Sequence, residues 1–155
     1  MQIRPARPDD AGALRDIVER AYSRYIERIG RRPAPMDDDY VAKIGDGHVE
    51  VAVEGGNPVG LIVLVPQADH LLVENVAVDP AFQRGGVGRA LLAHAEQRAA
   101  QRGLREIRLY TNAAMTENLS LYPRLGYRET GRDTEHGFQR VYFSKVSPPR
   151  GARPP

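Results

Sequence analysis

The segment Gln83-Arg84-Gly85-Gly86-Val87-Gly88-Arg89, which follows directly on Val76-Ala77-Val78-Asp79-Pro80, constrains this chain more than any other stretch. The apolar run from Leu71 to Val78 predicts a strand, and Pro80 marks a turn. From Gly86 to Arg102 apolar residues recur at helical spacing, at Val87, Leu91, Ala95 and Ala99, with a stop at Gly103. A strand that enters a glycine-rich loop and continues straight into a helix points unpaired main-chain N–H groups outward, at the positive end of the helix dipole. Gly85, Gly86 and Gly88 let the main chain approach a ligand closely, and Arg84 and Arg89 add countercharge, so the loop suits a pyrophosphate. A nucleotide-hydrolase loop would need a Lys-Ser/Thr pair where Gly88-Arg89-Ala90 stands. A dinucleotide fingerprint would need Gly or Ala at Leu91. What remains is a different kind of ligand loop, or a strand-turn-helix whose glycines serve packing alone.

The remaining sequence supplies a scaffold for such a loop. Ile3 to Arg7 predicts a short strand ended by Pro8. Asp9 or Asp10 is placed to cap a helix with Leu14, Ile17, Val18, Ala21 and Tyr22 on one face and Gly30 at its end. Asp38 to Ile44 predicts a shorter helix. His48 to Glu54 and Pro58 to Val65 are β-branched runs joined through Gly55-Gly56-Asn57, the pattern of a hairpin. Leu71 to Val78 is so nearly continuous in apolar residues that a central position is expected. Further on, Ile107 to Tyr110 predicts a strand, and Thr116 caps a brief helix to Leu125. Tyr127 to Thr134 and Phe138 to Val146 close the chain as a strand pair around His136-Gly137. The order β-α-α-β-β-β-α-β-α-β-β is that of a mixed α/β domain.

With 155 residues, 41% hydrophobic and 27% charged, one domain with a sizeable core is expected, spanning residues 1–146. Residues 147–155 carry four prolines and no apolar period, which predicts a disordered tail. The net charge of +2 rests on Arg150 and Arg153 in that tail, so no nucleic-acid surface is expected. No apolar run reaches a membrane span, and Met1 to Pro5 has no leader-like apolar stretch. The absence of Cys removes a thiolate nucleophile and a thiolate metal site, and the four His show no ligand spacing, so no metal is expected. A cytoplasmic protein without membrane partners is the expectation.

Gln83, Gly86 and Gly88 fit the Gln/Arg-x-x-Gly-x-Gly/Ala pattern after a Val-Ala-Val-Asp-Pro strand end, and Leu121-Tyr122-Pro123-Arg124-Leu125-Gly126-Tyr127 fits Leu-Tyr-x-x-x-Gly-Phe/Tyr. On these two motifs the chain resembles the GNAT superfamily of acyl-CoA-dependent N-acetyltransferases. The resemblance implies an α/β fold with a mostly antiparallel mixed sheet, a splayed central strand pair and about four flanking helices. It implies acetyl-CoA as acyl donor and a small-molecule or peptide amine as acceptor. A homodimer is compatible with it.

By the same resemblance, main-chain groups of Val76, Ala77 and Val78 hold the pantetheine arm and polarise the thioester carbonyl. The N–H groups from Arg84 through Gly85, Gly86, Val87 and Gly88 to Arg89 hold the pyrophosphate. Tyr122 is implied to protonate the leaving thiolate, a phenol with an ordinary pKa near 10 facing a thiolate of similar basicity; a core aromatic is the alternative. Pro123 should distort the helix around it. An Asn near the start of this helix is implied to contact the cofactor. Met115 stands at the usual spacing, and Asn118 is preferred over Asn112.

An amine must be neutral to attack, which calls for a base or a water relay. Glu74, inside the apolar strand, is the best carboxylate, with burial expected to raise its pKa; an ion pair with an Arg is the alternative. The carboxylate that the family sometimes carries on the following strand has no counterpart here, with Tyr110 near that place. His70 is a further base candidate or a solvated loop residue, whereas His48 and His94 fit turn and helix-surface positions. Asp37-Asp38-Asp39 reads as a dipole-matched helix start in preference to an amine site. Tyr22, Tyr25 and Met36 fall where the family builds its acceptor pocket. Direct attack in a ternary complex is therefore expected, with a non-catalytic acyl-CoA-binding regulatory module as the alternative.

Overall fold

A computed structural model describes residues 1–147. The elements are β1 (Gln2–Pro5), α1 (Ala11–Ile29), α2 (Tyr40–Gly45), β2 (Val49–Glu54), β3 (Asn57–Pro66), β4 (Leu71–Val78), α3 (Val87–Gln101), β5 (Glu106–Asn112), α4 (Thr116–Arg124), β6 (Arg128–Glu135) and β7 (Phe138–Val146). The strands form one seven-stranded sheet in the order β1-β2-β3-β4-β5-β7-β6. Among the described residues only the β4–β5 pair is parallel, joined by α3 as the crossover helix that parallel neighbours require. No helix among the described residues is long and apolar enough to cross a membrane. Ser147 is tied to Arg105 by a main-chain bond of 2.7 Å, and residues 148–155 of the expected tail lie outside the described residues.

Local chemistry explains most element ends. Helix α1 buries Leu14, Ile17, Val18 and Ala21 along one stripe, and Gly30 closes it at φ 85° with its N–H on the Ile26 carbonyl, 2.8 Å away. The β2–β3 hairpin turns on Gly55 and Gly56, both at positive φ, as a two-residue turn matched to strand twist demands. Asp39 caps α2 by accepting from the Ala42 amide at 3.0 Å, whereas Asp37 pairs with Arg32 and Asp38 faces Lys43, so of this acidic run Asp39 alone serves as the cap.

Three expectations need correction. Strand β1 ends at Pro5, before Arg7, because Pro8 to Asp10 form a 3-10 turn that leads into α1. Asp10 does not cap α1 with its side chain: the carboxylate turns back to the Arg7 amide at 2.7 Å and to Arg4. Thr116 is already the first residue of α4, with Met115 at the cap position.

Two hydrophobic layers sandwich the sheet. On one face Leu91, Leu92, Ala95 and Ala99 of α3 and Tyr122 of α4 pack on Ile62, Leu71, Val73, Leu109 and Phe143. On the other, α1 and α2 cover Val49, Val51, Leu61, Val63 and Ala77. Strand β3 approaches α3 closely at Gly60, where an added Cβ would lie 3.1 Å from the Ala77 carbonyl oxygen and 3.1 Å from Val87. Helix α3 is also fastened to β2 by polar contacts. Buried Glu50 bonds His94 at 2.8 Å and Arg98 at 2.7 Å, so His94 joins a buried carboxylate in place of the helix-surface position expected for it.

Gly60→Ala is expected to destabilise the protein by about 1–3 kcal/mol, because neither the backbone oxygen nor the helix can yield without repacking; denaturant unfolding measures it. Burial alone pushes the Glu50 carboxyl up, but the Arg98 and His94 bonds outweigh it and leave the folded value lowered. A lowered folded value means that its stabilisation is complete above the unfolded carboxylate range and fades as pH falls through the lower folded one. Melting temperature followed from pH 7 into the acid range should therefore fall less steeply for Glu50→Gln than for the wild type.

Candidate active site

The parallel β4–β5 pairing lasts three positions, Leu71 to Val73 against Ile107 to Leu109. Beyond them β4 stays with β3 as far as Val78, and β5 stays with β7 as far as Asn112, so the strands part. The break coincides with a bulge: Val63 pairs with Asn75 and Leu64 with Val73, which leaves Glu74 without a partner on β3. The extra residue exchanges the faces of the strand. Leu71 and Val73 point to the α3 layer before it; Val76 and Val78 do so after it, while Ala77 joins the α1 layer.

Between the parted strands runs a cleft of about 380 Å³, lined at one end by Arg84, Gly86, Gly88 and Arg89 and at the other by Pro33, Glu74, Tyr110 and Arg140. At the first end the loop folds as its glycines require. Gly86 sits at φ 80°, and Gly88 has space, its added Cβ meeting only Val78 at 3.7 Å. The Gly85 amide is spent on the Phe82 carbonyl at 3.1 Å, and the Gln83 side chain holds the Val78 carbonyl at 3.3 Å. Among the described residues the amides of Arg84, Gly86, Val87, Gly88 and Arg89 have no protein acceptor. Val87 directs its side chain into the core, and Arg84 and Arg89 are exposed at the cleft mouth. Five unspent donors at the start of a 15-residue helix make a site for an anion of diphosphate size.

Val76 lines the cleft, whereas Ala77 and Val78 lie along β4 behind it. Tyr122 also lines the cleft, its ring packed at 5.5 Å from Phe143 and 5.7 Å from Tyr127. No hydrogen bond holds its hydroxyl among the described residues, and burial raises its pKa to about 12, above the ordinary phenol value expected from sequence; the neighbouring Tyr127 hydroxyl is buried without a partner. Pro123 falls in the last turn of α4, where it forfeits one bond and the helix persists to Arg124. Asn118 lines the cleft and donates to Thr111 Oγ1 at 3.0 Å, while Asn112 is occupied with the Ala114 amide at 2.9 Å.

Glu74 is in the cleft wall and ion-paired with Lys43 of α2, a lysine where an Arg was the expected partner. Beside it Asn75, 5% exposed, forms a hub that sequence reading missed. It accepts from Tyr22 at 2.5 Å and donates to Tyr40 at 3.0 Å, and Tyr40 donates to the Pro35 carbonyl at 2.6 Å. Burial drives the Tyr22 hydroxyl well above its ordinary pKa, so it stays protonated. Two consecutive polar residues inside an apolar strand were the available signal. Arg140, also missed, stands on β7 with its guanidinium 4.3 Å from the Tyr110 ring centroid. Tyr25 is bound to Glu117 at 2.8 Å and Met36 packs in the α1 layer; neither lines the cleft, nor does His70, which contacts Asp69 at 2.6 Å.

Over 91 residues the chain is 35% identical to "Probable N-acetyltransferase 14" of Xenopus tropicalis, covering 57% of this chain and 44% of that one. Over 61 residues it is 39% identical to the "[Ribosomal protein bS18]-alanine N-acetyltransferase" of Escherichia coli K12, covering 39% of this chain and 41% of that one. The chain thus spans less than half the length of these curated relatives. The fold superposes on the PaiA N-acetyltransferase of Thermoplasma acidophilum, solved in complex with coenzyme A, with a TM-score of 0.77 at 18% identity over 94% of this chain and 98% of that one. Residues 13–127, which run from α1 through β4, the glycine loop and α4, match the profile of the Acetyltransferase (GNAT) family, and the chain belongs to that family.

Proposed function

We propose that the protein transfers the acetyl group of acetyl-CoA to a primary amine by direct attack in a ternary complex. One observation carries this reading: five unbonded loop amides stand at the mouth of a cleft whose wall is an unpaired strand edge. The amides of Arg84, Gly86, Val87, Gly88 and Arg89 donate to the pyrophosphate, with the Gly85 amide spent within the loop, and main-chain groups of Val76, Ala77 and Val78 take the pantetheine arm as a neighbouring strand would. Asn118 adds a side-chain contact from α4. The PaiA protein's complex with coenzyme A and the alanine N-acetyltransferase relative support the donor and the amine class.

In the transfer, the amine nitrogen bonds to the thioester carbon and the C–S bond breaks, with Tyr122 giving its proton to the departing sulfur. A main-chain N–H of β4 aimed at the carbonyl oxygen stabilises the charge that develops there. Desolvation makes Tyr122 a weaker acid than a free phenol, but the same dry cleft raises the basicity of the thiolate it meets, so the match is kept. Glu74 receives the proton that the amine loses, directly or through water.

Release of free thiol from acetyl-CoA across a panel of amines tests the proposal. Binding of acetyl-CoA without turnover on any amine would instead identify an acyl-CoA-binding regulatory module. Gly88→Val should fold, since its Cβ has ordinary clearance, yet weaken acetyl-CoA binding by about a hundredfold, or about 2.7 kcal/mol, in calorimetry. Tyr122→Phe should slow the chemical step by about a hundredfold or more with melting temperature and acetyl-CoA affinity little changed. Unchanged single-turnover rates in the Phe variant would remove the acid role.

A further inference from the structure

The acceptor end of the cleft carries a cation that the fold does not use up. We propose that Arg140 binds a carboxylate of the acceptor, so that the amines acetylated are amino acids or similar carboxylate-bearing amines; this rests on the acetyl-transfer reading above.

Arg140 belongs to the sheet face that α1 and α2 cover, because its strand neighbours Val141 and Phe143 pack into the opposite, α3 layer. Tyr110 shares that face: it pairs in register with Tyr142, the rings 6.1 Å apart, and lies under the Arg140 guanidinium at 4.3 Å. Glu74 opens to the same side, since its partner Lys43 comes from α2. Glu74, Tyr110 and Arg140 therefore stand on successive strands β4, β5 and β7, all in the cleft wall.

The Arg140 side chain is only 11% exposed, yet its one acidic contact is a single nitrogen, 3.0 Å from Glu135 Oε2. A guanidinium has five N–H donors in a planar fork. Among the described residues the others have no protein acceptor, and leaving such donors dry is costly unless a ligand meets them. Glu135 itself is half exposed and also accepts from Tyr142 at 2.8 Å, so it does not close the fork. Stacking on Tyr110 fixes the guanidinium plane, which suits bidentate binding of a planar carboxylate. Glu74 and Asp38 share the single cation Lys43, which leaves one negative charge to face the acceptor's ammonium group. Arg31, stacked at 3.9 Å on the Phe138 ring that lines the cleft, adds positive charge at the same end. An acceptor held this way presents its amine toward Glu74 and its carboxylate toward Arg140.

Glycine, β-alanine and γ-aminobutyrate, each beside its primary carboxamide, separate the possibilities. Two readouts are taken: kcat/KM for thiol release, and calorimetric affinity for the protein saturated with coenzyme A. A preference of about thirtyfold or more for at least one carboxylate over its carboxamide is expected, collapsing towards one in Arg140→Gln and recovering partly in Arg140→Lys. Retained acetyl-CoA affinity shows that each variant is folded. Carboxamides bound as well as carboxylates by the wild type, no binding of any carboxylate, or a preference unchanged in Arg140→Gln would each overturn the assignment. Turnover of the carboxamides without a carboxylate preference sinks this inference alone. Arg140-dependent binding of carboxylates without any turnover supports it while sinking the acetyl-transfer reading.

Discussion

The cleft of this molecule depends on two strands that stop pairing. A parallel β4–β5 ladder is held at its start by three residue pairs and abandoned where the Glu74 bulge shifts the register of β4 on β3. A bulge adds local twist to the strand that carries it, and β5 cannot follow without breaking its own ladder with β7. Beyond it β4 follows β3 and β5 follows β7, so a gap opens in the middle of the sheet, where both faces are otherwise sealed by helices. Unpaired strand edges are normally an aggregation hazard. Here they lie inside the domain, along a cleft between the two strands.

The bulge also sorts side chains between the two sides of that gap. After it, Val76 and Val78 line the α3 side, where Tyr122 and the loop amides meet the donor in the proposed reaction. Glu74 and Asn75 are turned the other way, into the layer of α1 and α2. The Tyr22–Asn75–Tyr40–Pro35 chain of hydrogen bonds then ties the parted edge of β4 to α1 and to the segment before α2. Buried hydrogen bonds of this kind hold geometry, because leaving any one partner dry costs more than the bond itself contributes. The edge is therefore open but not loose.

Legibility in the sequence followed the range of the interactions. The glycine loop, the central strand and the seven-strand, four-helix order were readable because periodicity, punctuation and loop glycines are local signals, and the element bounds came within a few residues. The bulge was not readable: Leu71 to Val78 has the same apolar character with or without an extra residue, and only the adjacent pair Glu74-Asn75 hints at it. Contacts across the fold were equally hidden. His94 reaches Glu50 over 44 positions and Lys43 reaches Glu74 over 31, and no local pattern encodes either partner. Arg140 escaped notice because an Arg that alternates with Val141 and Phe143 looks like an ordinary solvent-facing strand residue.

That division has a physical origin in the two halves of the cleft. The half proposed for the donor is built from main-chain amides, whose placement depends on glycine, on a helix start and on an unpaired edge, all of which leave marks at fixed sequence spacing. The half proposed for the acceptor is built from side chains contributed by α2, β4, β5 and β7, brought together only by the completed sheet. Any one of them can change without disturbing the loop amides, because it shares no hydrogen bond with them. On the proposed reading, donor and acceptor recognition are thus separable in the physics of this fold, with the acceptor set by the chemistry of Glu74, Tyr110 and Arg140 and not by the motif that identifies the family.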